Sequence, residues 1–316
     1  MAKLLANVPK VEARAVVISI TVGISLLIIK YVAYALTGSA AIFSDATESI
    51  ANVLASIVAL SALHIAHTPA DEQHPYGHGK AEFLSAWFEG SMVLLAGVFI
   101  IIKTIDAIAH KEIIQEGKAD IGLALVAVAM LINAIVGIYL IRTGRRCGSL
   151  TLEADGKHLI SDVYSSVGVL VALGLVWLTH LRWLDPLSAI LMAIWIIWVG
   201  SGLLRRAGAG LMDKQDVEDN RALQLLLDSH CGPAGREPRI CNYHKLRHRH
   251  TGRYHWVDFH IRLPDDVNVR RAHEIATAIE LEIEALVGEG NATAHIEPCQ
   301  HDHCQSDGTC GVRPPR

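Results

Sequence analysis

Apolar residues fill the first two thirds of the chain in long stretches separated by short polar breaks. Six of these, at about 14–36, 41–66, 83–108, 120–142, 158–180 and 184–206, reach the roughly 20 residues that a helix needs to cross a bilayer. The first is longer than the roughly 7–15 residues of a signal-peptide core, so it is expected to be a retained span. Beyond residue 212 the pattern changes. Leu223, Leu226 and Leu227 lie at helical spacing within about 216–230, and 240–262 alternates as a β-hairpin turning at Thr251-Gly252. A second amphipathic helix follows at about 268–287, then a third strand at Ala292 to Ile296. The order α-β-β-α-β makes a one-sheet domain with helices on one side. The predicted fold is an α-helical membrane protein of six transmembrane helices followed by a small α+β domain. Its parts are 1–212, 213–300 and a flexible His/Cys-containing tail, 301–316.

Two of the apolar stretches carry polar stripes. One runs through Ser44, Asp45, Glu48, Ser49 and Asn52, the other through Asp155, His158, Ser161 and Asp162. Asp45, Glu48 and Asn52, like Asp155, His158 and Asp162, stand at i, i+3 and i+7, on one helix face. An ionisable group in hydrocarbon costs about 2.5–3.5 kcal/mol on insertion scales unless it is paired, wetted or ion-bound. The i, i+4 pairs Glu48 with Asn52 and His158 with Asp162 can close a four-ligand cage of oxygen and imidazole nitrogen around a divalent cation. The alternative, a hydrogen-bonded network that only joins helices, would not require three ionisable groups. Glu89, deep in the third stretch, reads first as such an interhelical hydrogen-bonding group.

Composition agrees with a membrane part joined to a polar one: 51% of residues are hydrophobic and only 19% charged, with a mean hydropathy of +0.33. The net charge of −4 offers no case for nucleic acid. Basic residues gather on one side of the spans: Lys3, Lys10 and Arg14; Lys80; Arg142, Arg145, Arg146 and Lys157; Arg205, Arg206 and Lys214. The opposite loops hold little beyond Lys111, Lys118 and Arg182. Both termini and the polar domain are therefore expected in the cytoplasm.

Histidine, at 17 residues, is the over-used type. In the loop HTPADEQHPYGHGK, Asp71, His74 and His78 can fold onto one metal, or can belong to a solvated turn whose imidazoles merely titrate. Strand periodicity sets His260 on the face opposite Val257, Phe259 and Ile261, places His244 across the hairpin from it, and puts His295 and Glu297 on one face of the third strand. With His273 on the second helix, these residues can converge on one metal-binding surface of imidazole and carboxylate. The tail carries Cys299, His301, His303, Cys304 and Cys310. A cytoplasmic location argues against disulfides there, and their spacing matches no standard zinc module.

Taken in order, SDATESIAN, PADEQHPYGHGKAE, EADGKHLISDV and the His-bearing α-β-β-α-β domain resemble a cation diffusion facilitator of the bacterial ferrous-iron and zinc efflux type, over about residues 12–300. The resemblance implies a homodimer in the inner (plasma) membrane, six spans, a metallochaperone-like cytoplasmic domain, and export of a divalent metal against inflowing protons. Zinc is the first candidate, with iron(II), cobalt, cadmium and manganese behind it. Carried over by position, the transport site is Glu48, Asn52, His158 and Asp162, and the loop site is Asp71, His74 and His78. The cytoplasmic sites are His244, His260, His273 and His295, with Glu297 bridging two metals. Lys80 and Asp213 match a charge pair that locks the dimer.

Two departures matter. Zinc-type relatives usually carry Asp or His at the position of Glu48 and Asp at that of Asn52, and Asn52 offers a neutral oxygen and cannot exchange a proton. Asp45 or Asp155, each one turn away, is expected to supply the missing carboxylate. No H-E-x-x-H stretch suggests an enzyme. The competing readings are a passive metal facilitator and a membrane-bound metal sensor without proton coupling.

Overall fold

The computed structural model describes residues 8–37, 40–110, 119–179, 184–232 and 234–299. Within its helices, the side chains of 33–37, 40–48, 51–52, 103, 107, 110, 119–126, 165–166, 168–179, 184–185 and 188–189 are not described. The tail expected at 301–316 lies outside the described residues. Two compact units divide between Leu211 and Met212.

The first unit contains six helices: α1 (Lys10–Thr37), α2 (Ala40–Ala66), α3 (Ala81–His110), α4 (Ala119–Cys147), α5 (Leu150–Thr179) and α6 (Leu184–Leu211). Among the described residues, Lys10–Val32, Ala81–Asp106, Ala127–Cys147 and Ile190–Leu211 are long and apolar enough to cross a membrane. Large apolar side chains such as Leu95, Phe99, Leu131, Ile135, Leu191 and Trp198 are exposed, as suits faces that meet lipid rather than water.

The helices outrun the apolar stretches. α5 begins at Leu150 and α6 continues to Leu211, because charged residues at their ends are satisfied by the protein. Glu153 meets Lys157 Nζ at 2.9 Å, Arg206 Nη1 at 2.7 Å and Arg145 Nε at 3.6 Å, tying α5 to α6 and α4. Glu82 Oε2 accepts a 2.6 Å hydrogen bond from Ser149 Oγ, joining α3 to the start of α5.

Small residues let helices approach closely. A Cβ on Gly156 of α5 would lie 2.8 Å from the Gly137 carbonyl oxygen of α4, and one on Gly200 of α6 would lie 2.8 Å from the Leu94 nitrogen of α3. Without a hydrophobic drive between helices in lipid, such backbone contact is a main source of packing energy.

The second unit runs α7 (Val217–Asp228), β1 (Asn242–Thr251), β2 (Tyr254–Leu263), α8 (Val269–Val287) and β3 (Gly290–Pro298). Asp216 caps α7 by accepting from the Glu218 and Asp219 amides. β2 is central, antiparallel to β1 and parallel to β3. Val257, Phe259 and Ile261 are buried against Leu223 and Leu227 of α7 and Ile275, Ile279 and Ile283 of α8. The hairpin turns at Gly252-Arg253, one residue later than expected, with Gly252 at φ 66°.

β1 also carries a bulge that alternation did not predict. His244 pairs with His260, yet Arg247 pairs with Asp258, so β1 spends one extra residue there, and Lys245 adopts φ 51°. A single added residue moves everything after it to the other face of the strand. His244 therefore shares a face with His260, while His248 and His250, paired with Val257 and His255, stand on the core face.

Gly156→Ala is expected to destabilise the α4–α5 contact by about 1–3 kcal/mol, read as a lower thermal unfolding midpoint of the full chain in detergent. Gly202→Ala is the control, since its added Cβ meets nothing within 4 Å.

Candidate metal sites

The side chains of Asp45, Glu48 and Asn52 lie outside the described residues. The facing half of the expected site is on α5. Asp155 is 1% exposed: its Oδ2 accepts from Ser19 Oγ of α1 at 2.7 Å and its Oδ1 from Ser56 Oγ of α2 at 3.4 Å. The two serine hydroxyls are themselves 3.2 Å apart. This carboxylate thus joins three helices.

His158, one turn further, is also buried, and its Nδ1 stands 3.9 Å from Glu89 Oε2 of α3. Glu89 is 0% exposed, and neither of its carboxylate oxygens has a hydrogen-bond donor among the described residues. That differs from the hydrogen-bonding role its position in the sequence suggested. What Glu89 faces is an imidazole, and only the packing of α3 on α5 makes the two neighbours. Asp162 continues the same α5 face and is half-buried.

The loop between α2 and α3 brings Asp71, His74 and His78 together, with one ligand atom from each lying within 4.8 Å of the others. Asp71 Oδ1 accepts from the backbone N–H groups of Gln73 (2.9 Å) and His74 (2.6 Å). The His74 amide is the main cause that holds the Asp71 pKa below its usual value. His78 Nδ1–H donates to the Thr68 carbonyl at 3.3 Å, which leaves the lone pair on Nε2, 3.5 Å from Asp71 Oδ2. A hydrogen bond from the far ring nitrogen to a backbone carbonyl commonly fixes the tautomer of a metal-binding imidazole.

On the open face of the C-terminal sheet, His260 Nδ1–H donates to Glu297 Oε1 at 2.8 Å, and His244 Nε2 is 3.3 Å from Glu297 Oε2. The His295 ring centroid is 4.6 Å from that of His260. The bond from His260 lowers the Glu297 pKa, while burial is the main cause lowering that of His244 and favouring its neutral form. His244, His260 and Glu297 form a potential ligand set. Arg262 Nε also approaches Glu297, at 3.6 Å, and would compete for it. His273 is exposed on α8 and joins no such cluster among the described residues.

The two members of the expected charge pair lie in different units. Lys80 Nζ donates to the Leu211 carbonyl at 3.5 Å, and Asp213 Oδ2 is 3.7 Å from Arg249 Nη1. Cys299 is disulfide-bonded, against the expectation of free thiols in this region, and so offers no thiolate to a metal.

A third cluster was not expected from the sequence: Asp219, His248 and His250. His248 and His250 stand at even spacing from His244, yet the bulge at Lys245 puts them on the other face of β1.

Comparison with known proteins covers both units. The cation efflux transmembrane domain family matches residues 16–212, and the family of the cation efflux protein cytoplasmic domain matches residues 234–299. An uncharacterized transporter of Synechocystis sp. is 35% identical over 284 residues, 90% of this chain and 89% of that protein. The cation-efflux pump FieF of Shewanella oneidensis is 29% identical over 295 residues, 92% of this chain and 94% of the pump. FieF of Cronobacter sakazakii is 28% identical over 291 residues, with the same two coverages of 92% and 94%.

Removing the acceptor shared by Ser19 and Ser56 leaves the two buried hydroxyls with each other as partners and one O–H without its acceptor. Asp155→Ala is expected to cost about 1–3 kcal/mol, seen as a lower melting midpoint in detergent. Asp155→Asn keeps one acceptor oxygen and is expected to recover part of the loss.

Proposed function

This chain belongs to the cation efflux family and is a divalent-metal efflux transporter of the membrane; from that premise we propose a homodimeric, proton-coupled antiporter. Zinc is its first substrate, with iron(II), cobalt, cadmium and manganese as competitors for a mixed imidazole and carboxylate site. The transmembrane domain, 1–212, sits in the inner membrane with both termini in the cytoplasm, and 213–300 forms the cytoplasmic metal-binding and dimerisation domain.

The transport site consists of Glu48, Asn52, His158 and Asp162, and Glu89 is added to it here. The observation that carries the reading is the Glu89 carboxylate, fully buried and 3.9 Å from His158. Leaving a buried carboxylate without donors is costly, and a cation arriving between Glu89 and His158 would offset that cost. Glu89 thereby supplies the anionic character that Asn52 lacks. Asp155, held by Ser19 and Ser56, is a positioning residue that orients the α5 face, and Asp45 remains the auxiliary carboxylate on α2.

Facing the cytoplasm, Glu48, His158 and Asp162 bind the metal deprotonated. Facing outward, protons compete for the same groups and release it. The imidazole suits the exchange because it titrates near pH 6.5 when unperturbed. Asp71, His74 and His78 form the loop metal site. The cytoplasmic site uses His244, His260, His273 and His295, with Glu297 bridging two ions, and Lys80 with Asp213 locks the dimer near the membrane. Metal bound to the cytoplasmic domain favours one dimer geometry and so couples to the membrane site.

Sealed proteoliposomes test this, with Zn²⁺, Fe²⁺, Co²⁺, Cd²⁺ and Mn²⁺ each supplied with and without an imposed pH gradient. Zinc is expected to accumulate only when protons can run the other way. Equal flux without the gradient would make the protein a passive facilitator, and no flux would favour a sensor. Glu89→Gln is expected to slow zinc transport by about tenfold or more, the scale of loss for groups that tune a metal site. His260→Ala is expected to change the dependence of flux on metal concentration; an unaltered dependence would remove the coupling between domain and membrane site.

A further inference from the structure

The hairpin end of the C-terminal sheet holds a second constellation, on the face opposite His244, His260 and Glu297. His250 Nε2 is 3.1 Å from Asp219 Oδ2 in the first turn of α7. His248 is 4% exposed, and its Nε2–H donates to the Asp216 carbonyl at 3.2 Å. With the proton committed to that carbonyl, the imidazole lone pair is on Nδ1. The ring centroids of His250 and His255 are 4.0 Å apart, those of His248 and His250 5.9 Å. One ligand atom from each of Asp219, His248 and His250 lies within 4.8 Å of the others. A small cavity beside them is lined by Asp219 and His255 with Leu223, Leu286 and Val287.

We propose that Asp219, His248 and His250 form a separate divalent-metal site of the zinc type, which links α7 to the tip of the β1–β2 hairpin. Two imidazoles and one carboxylate are a zinc donor set, with a water in the fourth position. Zinc holds such ligands at about 2.0–2.2 Å, so their atoms draw closer by side-chain rotation. A simple His–Asp surface pair explains His250 with Asp219, but it does not explain why a buried His248 is fixed by a backbone carbonyl beside them. The bond from His248 to the Asp216 carbonyl is the orienting contact expected behind a metal ligand. Burial also lowers the pKa of His248, which agrees with a neutral imidazole. The segment gripped by the metal, from Asp216 to Asp219, follows α6 almost directly in the chain, so occupancy would stiffen the start of the domain.

The site is tested on the metal-stripped full-length protein in detergent, titrated with Zn²⁺, and with Co²⁺ as a spectroscopic probe of tetrahedral coordination. His250→Ala is expected to bind about one Zn²⁺ fewer per chain than the wild type and to lose the matching share of the cobalt absorption. The loss should add to that of His260→Ala, because the two clusters occupy opposite faces. Asp219→Asn, nearly isosteric, is expected to weaken one zinc equivalent by at least about tenfold. It decides the matter if His250→Ala does not fold. Hydrogen exchange at residues 216–220 should slow on zinc addition in the wild type and not in Asp219→Asn. Unchanged zinc stoichiometry and affinity in Asp219→Asn would overturn the proposal whatever the transport assay shows.

Discussion

A carboxylate or imidazole inside an apolar helix bundle must find its partners in the protein, because hydrocarbon supplies none. The N-terminal unit is arranged around that constraint. Asp155 accepts hydrogen bonds from the Ser19 and Ser56 hydroxyls on two other helices, and Gly156, the next residue, allows α5 to lie against α4 at backbone distance. His158 then faces Glu89 rather than lipid. The polar face of α5 is thus held by its neighbours on three other helices.

The same constraint explains the helix ends. Glu153 collects Arg145, Lys157 and Arg206, and Glu82 receives Ser149. These contacts let the helical backbone continue past the apolar stretches without leaving charges stranded at the membrane boundary. Hydropathy marks where lipid is met, and charge pairing marks where the helix stops.

The C-terminal unit solves a different problem, that of placing many imidazoles on one small sheet. Its hydrophobic face is closed by α7 and α8. Its open face holds His244, His260, His295 and Glu297 by direct cross-strand pairing. The bulge at Lys245 gives β1 access to both faces, so one strand contributes His244 to the open side and His248 and His250 to the covered side. Two ligand clusters can share a three-stranded sheet without sharing a residue.

The order of residues along the chain was enough to reveal the class of the fold, six apolar helices and then α-β-β-α-β, because burial in lipid and burial in a small core leave different periodicities. It also determined that Asp155, His158 and Asp162 share a helix face and that Asp71, His74 and His78 share a loop, since both follow from spacing within one element. Helix ends shifted by several residues because ion pairs between helices are invisible to hydropathy. Tertiary structure alone decided that Asp155 is held by two serines, 136 and 99 residues away, and that Glu89 meets His158 across the α3–α5 contact. It decided as well that His248 and His250 leave the face of His244, because one extra residue in β1 reverses the alternation and nothing in the order of the side chains announces it. Periodicity reports what an element does with its own residues, while the partners across a helix interface or a bulged ladder exist only once the chain has folded.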